Sequence, residues 1–247
     1  MKNIEFMKKL RDCVDLKSLK ENNVITEEKR KLYYIQTEKA ANLLLNQIGD
    51  KKFPVDINKI INFFGINAVS SNFDDIDVSV FGNSDFSNNK FHTIILFDER
   101  TKNKVYKSAK NKVYKNGIIN LLINESDSDK IARMTVLSSI GLLIWGYKWN
   151  NTEFFNFLYS NNKVNEVDEV DESDSINELT YIYHSFARNV LMPEKEITKI
   201  NKHYLKMHIS DDERIKKISD FFGVDEREVQ KKLYYISKYE VCREVIC

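Results

Sequence analysis

Apolar residues recur at three- and four-residue spacing in several separate stretches, which is the pattern of amphipathic helices. The first stretch runs from Thr26 to Gln47, with Thr26 as the expected N-cap. Its predicted buried stripe consists of Leu32, Ile35, Ala40, Leu43, Leu44 and Ile48. A second helix is predicted from Ile57 to Phe64, and Gly65 is expected to end it in a left-handed conformation.

Short runs of β-branched and aromatic residues follow and predict a small sheet. The expected strands are residues 66–69, 78–81, 92–97 and 117–124. Between the last two, the pentad NKVYK occurs twice, at 103–107 and 111–115. Interleaved Lys and Tyr would suit a phosphate backbone, but a solvated hairpin or loop explains the repeat more simply.

The longest apolar stretch follows residues 126–129 (SDSD), which have the composition of a helix start. Residues 131–147 (IARMTVLSSIGLLIWGY) are apolar on nearly every side and predict a helix buried in the centre of the fold. Further helices are expected at 176–192, from Pro193 onward, and as a pair around Gly223 within 210–236. The acidic run at 166–174 predicts a solvated loop.

Charge and cysteine content narrow the class of protein. The 247 residues include 38 Lys and Arg against 37 Asp and Glu, so any nucleic-acid binding must be local rather than driven by net charge. Cys13, Cys242 and Cys247 form no zinc or disulfide pattern. Neither an export signal nor an apolar run of the roughly 20 residues that span a bilayer is present. We therefore expect a soluble, cytoplasmic protein without membrane contact.

Several blocks of sequence, in their order and spacing, resemble the ImmA/IrrE family of zinc-dependent endopeptidases over roughly residues 30–236. The blocks are residues 54–57 (PVDI), 122–125 (LINE), 133–142 (RMTVLSSIGL), 186–193 (FARNVLMP) and 218–224 (ISDFFGV). The resemblance implies an α+β, zincin-like metallopeptidase domain, in which a small mixed sheet packs on a bundle of helices that includes a buried central helix. Residues 1–25 would be an N-terminal helical extension, 26–205 the domain, and 206–247 a helix-turn-helix-like segment packed on the core.

The family's zinc chemistry is missing at the matching positions. Ser138 replaces the first His, Ser139 the general-base Glu and Leu142 the second His of the active-site helix, and Thr180 replaces the third ligand, a Glu. Neutral hydroxyls are poor zinc ligands and Leu is none, so we expect no metal and no catalytic residue. The resemblance then implies a pseudoenzyme, a regulatory scaffold in a phage or mobile-element context. Its partner would be a helix-turn-helix repressor or an active homologue.

DNA binding is a second reading. Residues 211–236 have a helix, turn, helix layout, with Lys231, Lys232 and Lys238 on or just beyond the second helix. Acidic residues open that second helix at Asp225, Glu226 and Glu228, where carboxylates would repel phosphate.

A third hypothesis is that the chain is an enzyme whose active site differs from the zinc site of the family. Glu178 and His184 would bring one carboxylate and one imidazole to the pocket in which the family binds zinc, and Arg133 would be a further residue of that cleft. A catalytic zinc, however, generally takes three protein ligands. Alternatively, Ser138 or Ser139 would serve as the nucleophile of a metal-independent hydrolase. The remaining histidines are His92, in a predicted strand, and His203 and His208, whose five-residue spacing places them on different helix faces.

Overall fold

The structure is a computed structural model and describes residues 3–16, 25–50, 52–73, 92–96, 119–145 and 178–240. These ranges contain eight helices and three strands. In chain order they are α1 (Ile4–Arg11), α2 (Glu27–Ile48), α3 (Ile57–Phe64), β1 (Asn67–Ser71), β2 (Thr93–Leu96), β3 (Asn120–Asn124), α4 (Asp129–Trp145), α5 (Glu178–Leu191), α6 (Glu194–Leu205), α7 (Asp211–Phe222) and α8 (Glu226–Glu240). The predicted strand at 78–81, the NKVYK repeats and the acidic run at 166–174 lie outside the described residues.

The helix boundaries follow from local sequence signals. The Thr26 hydroxyl accepts a hydrogen bond from the Lys29 backbone N–H and caps α2 as predicted. Gly65 ends α3 with φ at 66°, and Gly223 ends α7 with φ at 63°, both in the left-handed region that favours glycine. Pro193 stands one position earlier than expected, as the residue that precedes α6.

The three strands form one small mixed sheet in the order β1, β3, β2. β1 runs parallel to β3, with Asn67 opposite Asn120, whereas β2 runs antiparallel to β3, with Thr93 opposite Ile123. The sheet packs on α4, and Leu121 and Ile95 are fully buried. The described chain is therefore mostly helical with a small sheet, as an α+β fold requires.

Three helices form the centre of the molecule, with α5 packed against both α2 and α4. Residues 136–145 of α4 are all buried, which confirms the prediction of a central buried helix. α4 and α5 approach closely at Gly141, where an added Cβ would lie 2.9 Å from the Tyr183 Cβ. Glycine at this position therefore permits the close helix contact that brings Ser138 and Leu142 next to α5.

The predicted buried stripe of α2 is wrong in its first half. Leu32 and Ile35 are 44% and 40% exposed. In that half the helix instead buries Arg30, Tyr33, Tyr34, Thr37 and Glu38. Ala40 and Leu44 are buried as predicted, together with Ala41 and Leu45. Thr37 and Glu38 face inward because they bind polar side chains, Ser185 on α5 and Lys232 on α8. The periodicity of apolar residues alone does not predict such contacts.

The two ends of the described chain both pack on this centre. In α1, Leu10 is fully buried, and the Arg11 guanidinium donates to the Ile144 carbonyl at the end of α4 over 2.8 Å. At the other end, α7 and α8 form the predicted pair around Gly223, with Val224 and Val229 fully buried. None of the described helices has the length and apolarity needed to cross a bilayer.

Candidate functional site

Ser138 and His184 meet where α4 crosses α5. The Ser138 Oγ lies 3.1 Å from the His184 Nδ1, and the same hydroxyl donates to the Met134 carbonyl over 2.9 Å. The Ser138 hydroxyl therefore has one partner on its own helix and one on α5. The position that matches the family's first zinc ligand therefore holds a satisfied hydroxyl.

The other matching positions are also enclosed. The Ser139 Oγ lies 2.8 Å from the Thr93 Oγ1 on β2, so it links α4 to the sheet. Leu142 and Thr180 are each only 1% exposed. Leu142 belongs to the hydrophobic core, where apolar volume is better suited than an unpaired imidazole.

A partly buried ion pair lies next to His184. The Arg188 Nε on α5 donates to the Glu228 Oε2 on α8 over 2.7 Å. Burial alone would raise the pKa of Glu228, but the Arg188 guanidinium outweighs it and the pKa falls to about 2. Burial lowers the pKa of His184 to about 4, although the Glu228 carboxylate opposes that shift. At neutral pH the site thus contains a neutral imidazole beside an internal ion pair.

This arrangement is poorly suited to acid–base chemistry. A nucleophilic serine needs a base that takes up its proton at neutral pH. With a pKa of about 4, His184 is too weak a base to activate an alcohol there. The geometry therefore weighs against Ser138 as a nucleophile.

Glu178 lies on α5 but serves a different contact. Its carboxylate accepts from the Lys29 ammonium and, over 2.8 Å, from the Tyr33 hydroxyl, both on α2. It is 1% exposed, and its partners differ from those of His184. Within the described ranges, no three residues of the types His, Cys, Asp and Glu cluster closely enough to hold a metal ion.

Arg133 holds the fold together rather than facing the Ser138–His184 contact. Its guanidinium donates to the Gly223 carbonyl over 3.0 Å and to the Val55 carbonyl over 2.9 Å. It thereby ties α4 to the turn between α7 and α8 and to the loop before α3. Its guanidinium is thus engaged by backbone carbonyls, and its expected role as a cleft residue stays a prediction.

Lys232 is not available to DNA, which corrects its prediction as a phosphate contact. Its side chain is 0% exposed and its Nζ lies 2.7 Å from both the Glu38 Oε2 and the Asn189 Oδ1. The exposed Lys231 lies 3.7 Å from the Glu228 carboxylate. The Lys238 Nζ lies 3.1 Å from a Glu27 oxygen and sits over the Tyr234 ring. All three predicted lysines of the C-terminal segment therefore have partners within the protein.

The other histidines stand apart. His92 lies immediately before β2, and its Nδ1 is 2.9 Å from the Asp127 carboxylate, which is fully buried. His203 and His208 are exposed, on α6 and just beyond it. The structure thus brings His184 alone among the histidines to the predicted site.

Sequence reasoning missed the residues that surround His184. Arg188 and Glu228 come together from positions 40 residues apart, and Thr93 reaches Ser139 across 46 residues. A signal for Arg188 was present, because a lone charge within the apolar stretch FARNVL of a buried helix requires a partner. Thr93 carried no such signal.

Comparisons with models of protein families, with curated proteins and with solved structures give no match to the chain.

Proposed function

We propose that this chain is a zincin-like scaffold without catalytic metal chemistry, which works as a regulatory protein by binding another protein through the cleft between α4, α5 and β2. The observation that carries the proposal is the contact of Ser138 with His184. Positions 138 and 184 face each other where α4 packs on α5. In a metallopeptidase of this type, the zinc ligand at the first position would face the neighbouring helix in the same way. The groups at these positions are a hydroxyl and a neutral imidazole that satisfy each other.

β2 borders the same region of the fold. Its Thr93 Oγ1 lies 2.8 Å from the Ser139 Oγ on α4, and Ser139 occupies the position that the resemblance assigns to the general base. A partner bound at this cleft would therefore come close to Thr93.

The proposed partner is a helix-turn-helix repressor or an active homologue. This choice rests on the resemblance of residues 54–57, 133–142 and 186–193 to the ImmA/IrrE family, whose intact members act on such repressors. A scaffold that keeps the cleft but cannot cleave would sequester the repressor or compete for it.

Site-specific photo-crosslinking tests the partner and the surface together. A benzophenone amino acid at Thr93 in the full chain, expressed in its native cells, is expected to give adducts that mass spectrometry identifies as a helix-turn-helix protein or a homologous peptidase. The same probe at Asn46, an exposed residue of α2, serves as the matched control. Identical adducts from both positions, or adducts with unrelated proteins, would count against the cleft.

A further inference from the structure

The outer face of α6 carries a row of four exposed lysines. They are Lys195, Lys199, Lys202 and Lys206, which we call the α6 lysine ridge. Their spacing of four, three and four residues places them in one line along a helix, over about 16 Å from first to last. Lys206 follows the last helical residue but keeps helical backbone angles, with φ at −72° and ψ at −15°.

The opposite face of α6 is committed to the core. Ile197 is fully buried, and Ile200 and Tyr204 pack against the core cluster. The Glu194 carboxylate, at the start of α6, accepts a hydrogen bond from the Tyr34 hydroxyl on α2 over 3.1 Å and is thus directed toward α2. The ridge is therefore a rigid surface of one charge sign on a helix that packing holds in place.

The lysines of the ridge differ from cations on the neighbouring helices. On α7, Arg214 pairs with Asp211 at 3.2 Å and Lys217 with Glu213 at 3.5 Å. No ion pair within the described ranges involves any lysine of the ridge. Like charges at four-residue spacing destabilise a helix, and a cation in the first turn, as at Lys195, also opposes the helix dipole.

Charge complementarity points to a polyanion as the occupant of the ridge. Protein interfaces need an apolar core and are depleted in Lys, whereas the line of the ridge holds ammonium groups alone. Insertion into a membrane needs a continuous free apolar helix face, whereas Ile197 is buried and the exposed apolar residues Leu205 and Met207 lie only at the C-terminal end of α6. Duplex DNA presents one negative charge per about 1.7 Å of its axis and requires no apolar contact.

We infer that the α6 lysine ridge binds the phosphate backbone of a nucleic acid without reading its sequence. Ammonium groups act as point charges and lack the bidentate geometry with which Arg reads bases. The ridge is separate from the cleft at Ser138 and from the α7–α8 segment. The inference about the ridge is therefore tested independently of the proposed function.

The test is the salt dependence of binding to a random-sequence 20-base-pair duplex, followed by fluorescence anisotropy with the full chain. Four phosphate contacts predict a slope of log K against log salt of about −3.6, or roughly a 100-fold loss of affinity between 50 and 200 mM salt. Changing the ridge together, as K195Q, K199Q, K202Q and K206Q, is expected to lower affinity at 50 mM salt at least tenfold and to flatten the slope. The variant should remain folded because all four side chains are exposed.

The matched control removes the same amount of charge from α7 and α8, as K216Q, K217Q, K231Q and K238Q, and is expected to keep most of the binding. Equal losses from both variants would overturn the inference, as would a larger loss from the control or the absence of salt-dependent binding. Preferential binding of the wild-type chain to phosphatidylserine vesicles over the duplex would also overturn it, in favour of a membrane surface.

Discussion

At the residue scale, His184 is the group whose ionisation the fold changes most clearly near neutral pH. Its imidazole contacts Ser138 across the helix crossing and stands near the Arg188–Glu228 pair. Burial lowers its pKa to about 4, from the value of about 6.5 that an exposed histidine has. The unfolded chain therefore binds a proton at this residue over a pH range in which the folded protein does not.

This difference predicts that the free energy of unfolding falls as the pH drops from about 6.5 to about 4, because the unfolded state binds more protons there. We expect a loss of roughly 1 to 3 kcal/mol over that window. Substitution of His184 by Gln should flatten this part of the pH profile, measured by urea denaturation at several pH values. The same substitution at His203, which is exposed, is the control, and an unchanged slope in the His184 variant would contradict the assignment.

Below this window the carboxylate of Glu228 becomes the relevant group. Its pKa of about 2 in the folded protein lies under the ordinary value for Glu, so its stabilising effect is lost as the pH falls from about 4.5 to 2. We therefore expect the free energy of unfolding to fall in two stages with decreasing pH, first through the imidazole of His184 and then through the carboxylate of Glu228.

At the scale of elements, Lys232 binds the C-terminal helix α8 to the central helices α2 and α5. This residue of α8 reaches Glu38 on α2 and Asn189 on α5, and its ammonium also lies 4.8 Å from the centre of the Tyr34 ring. Burial lowers the pKa of Lys232, although the Glu38 carboxylate opposes that shift. Glu38 in turn accepts from the Glu194 backbone N–H at the start of α6. One buried charge pair therefore organises four helices.

Replacement of Lys232 by Met should lower the free energy of unfolding by about 3 to 5 kcal/mol, since the Glu38 carboxylate would remain buried without the cation that neutralises it. The neighbouring exposed residue supplies the control, because Lys231→Met should change stability by less than about 0.5 kcal/mol. Chemical denaturation of both variants measures the difference. Equal, small effects would show that Lys232 is not the buried partner of Glu38.

Lys232 is buried although the sequence predicts it as a phosphate contact. Lys232 follows Val229 by three residues and precedes Ile236 by four, so it lies on the face that these buried residues define. Read this way, the pattern alone would have placed it inside. What the pattern could not supply is the partner, since Glu38 is 194 residues away in the chain.

At the scale of the whole molecule, the order of the described elements was predictable because each depends on local signals. The caps at Thr26 and Gly65, the central apolar helix and the turn at Gly223 are examples. The faces that these elements bury were less predictable where polar residues turn inward. In α2, for example, Leu32 and Ile35 are exposed whereas Thr37 and Glu38 are buried. The partners that turn Thr37 and Glu38 inward are distant in the chain.

The candidate site was predictable only in part for the same reason. Ser138, Ser139, Leu142 and Thr180 were singled out by position in a motif, and His184 by its place on α5. Their contacts depend on how α4, α5 and β2 meet, and that packing brings together residues 46 apart in the chain. Sequence spacing along one helix carries no information about such contacts.

Our central proposal is that a metallopeptidase-like scaffold persists here with its metal ligands replaced, and zinc content tests this proposal most directly. Elemental mass spectrometry would compare the wild-type chain with the variant Ser138→His, Leu142→His, Thr180→Glu, purified without chelators. A variant with only the two His substitutions, and circular dichroism of all three proteins, would guard against a failure to fold.

We expect less than about 0.1 zinc per wild-type chain, no rise in its melting temperature on adding zinc, and close to one zinc per chain in the folded triple variant. The double variant, with two ligands in place, should bind zinc more weakly. Near-stoichiometric zinc in the wild-type protein would contradict the claim that the site lacks metal. A folded triple variant that binds no zinc would contradict the claim that these positions converge as in a metallopeptidase.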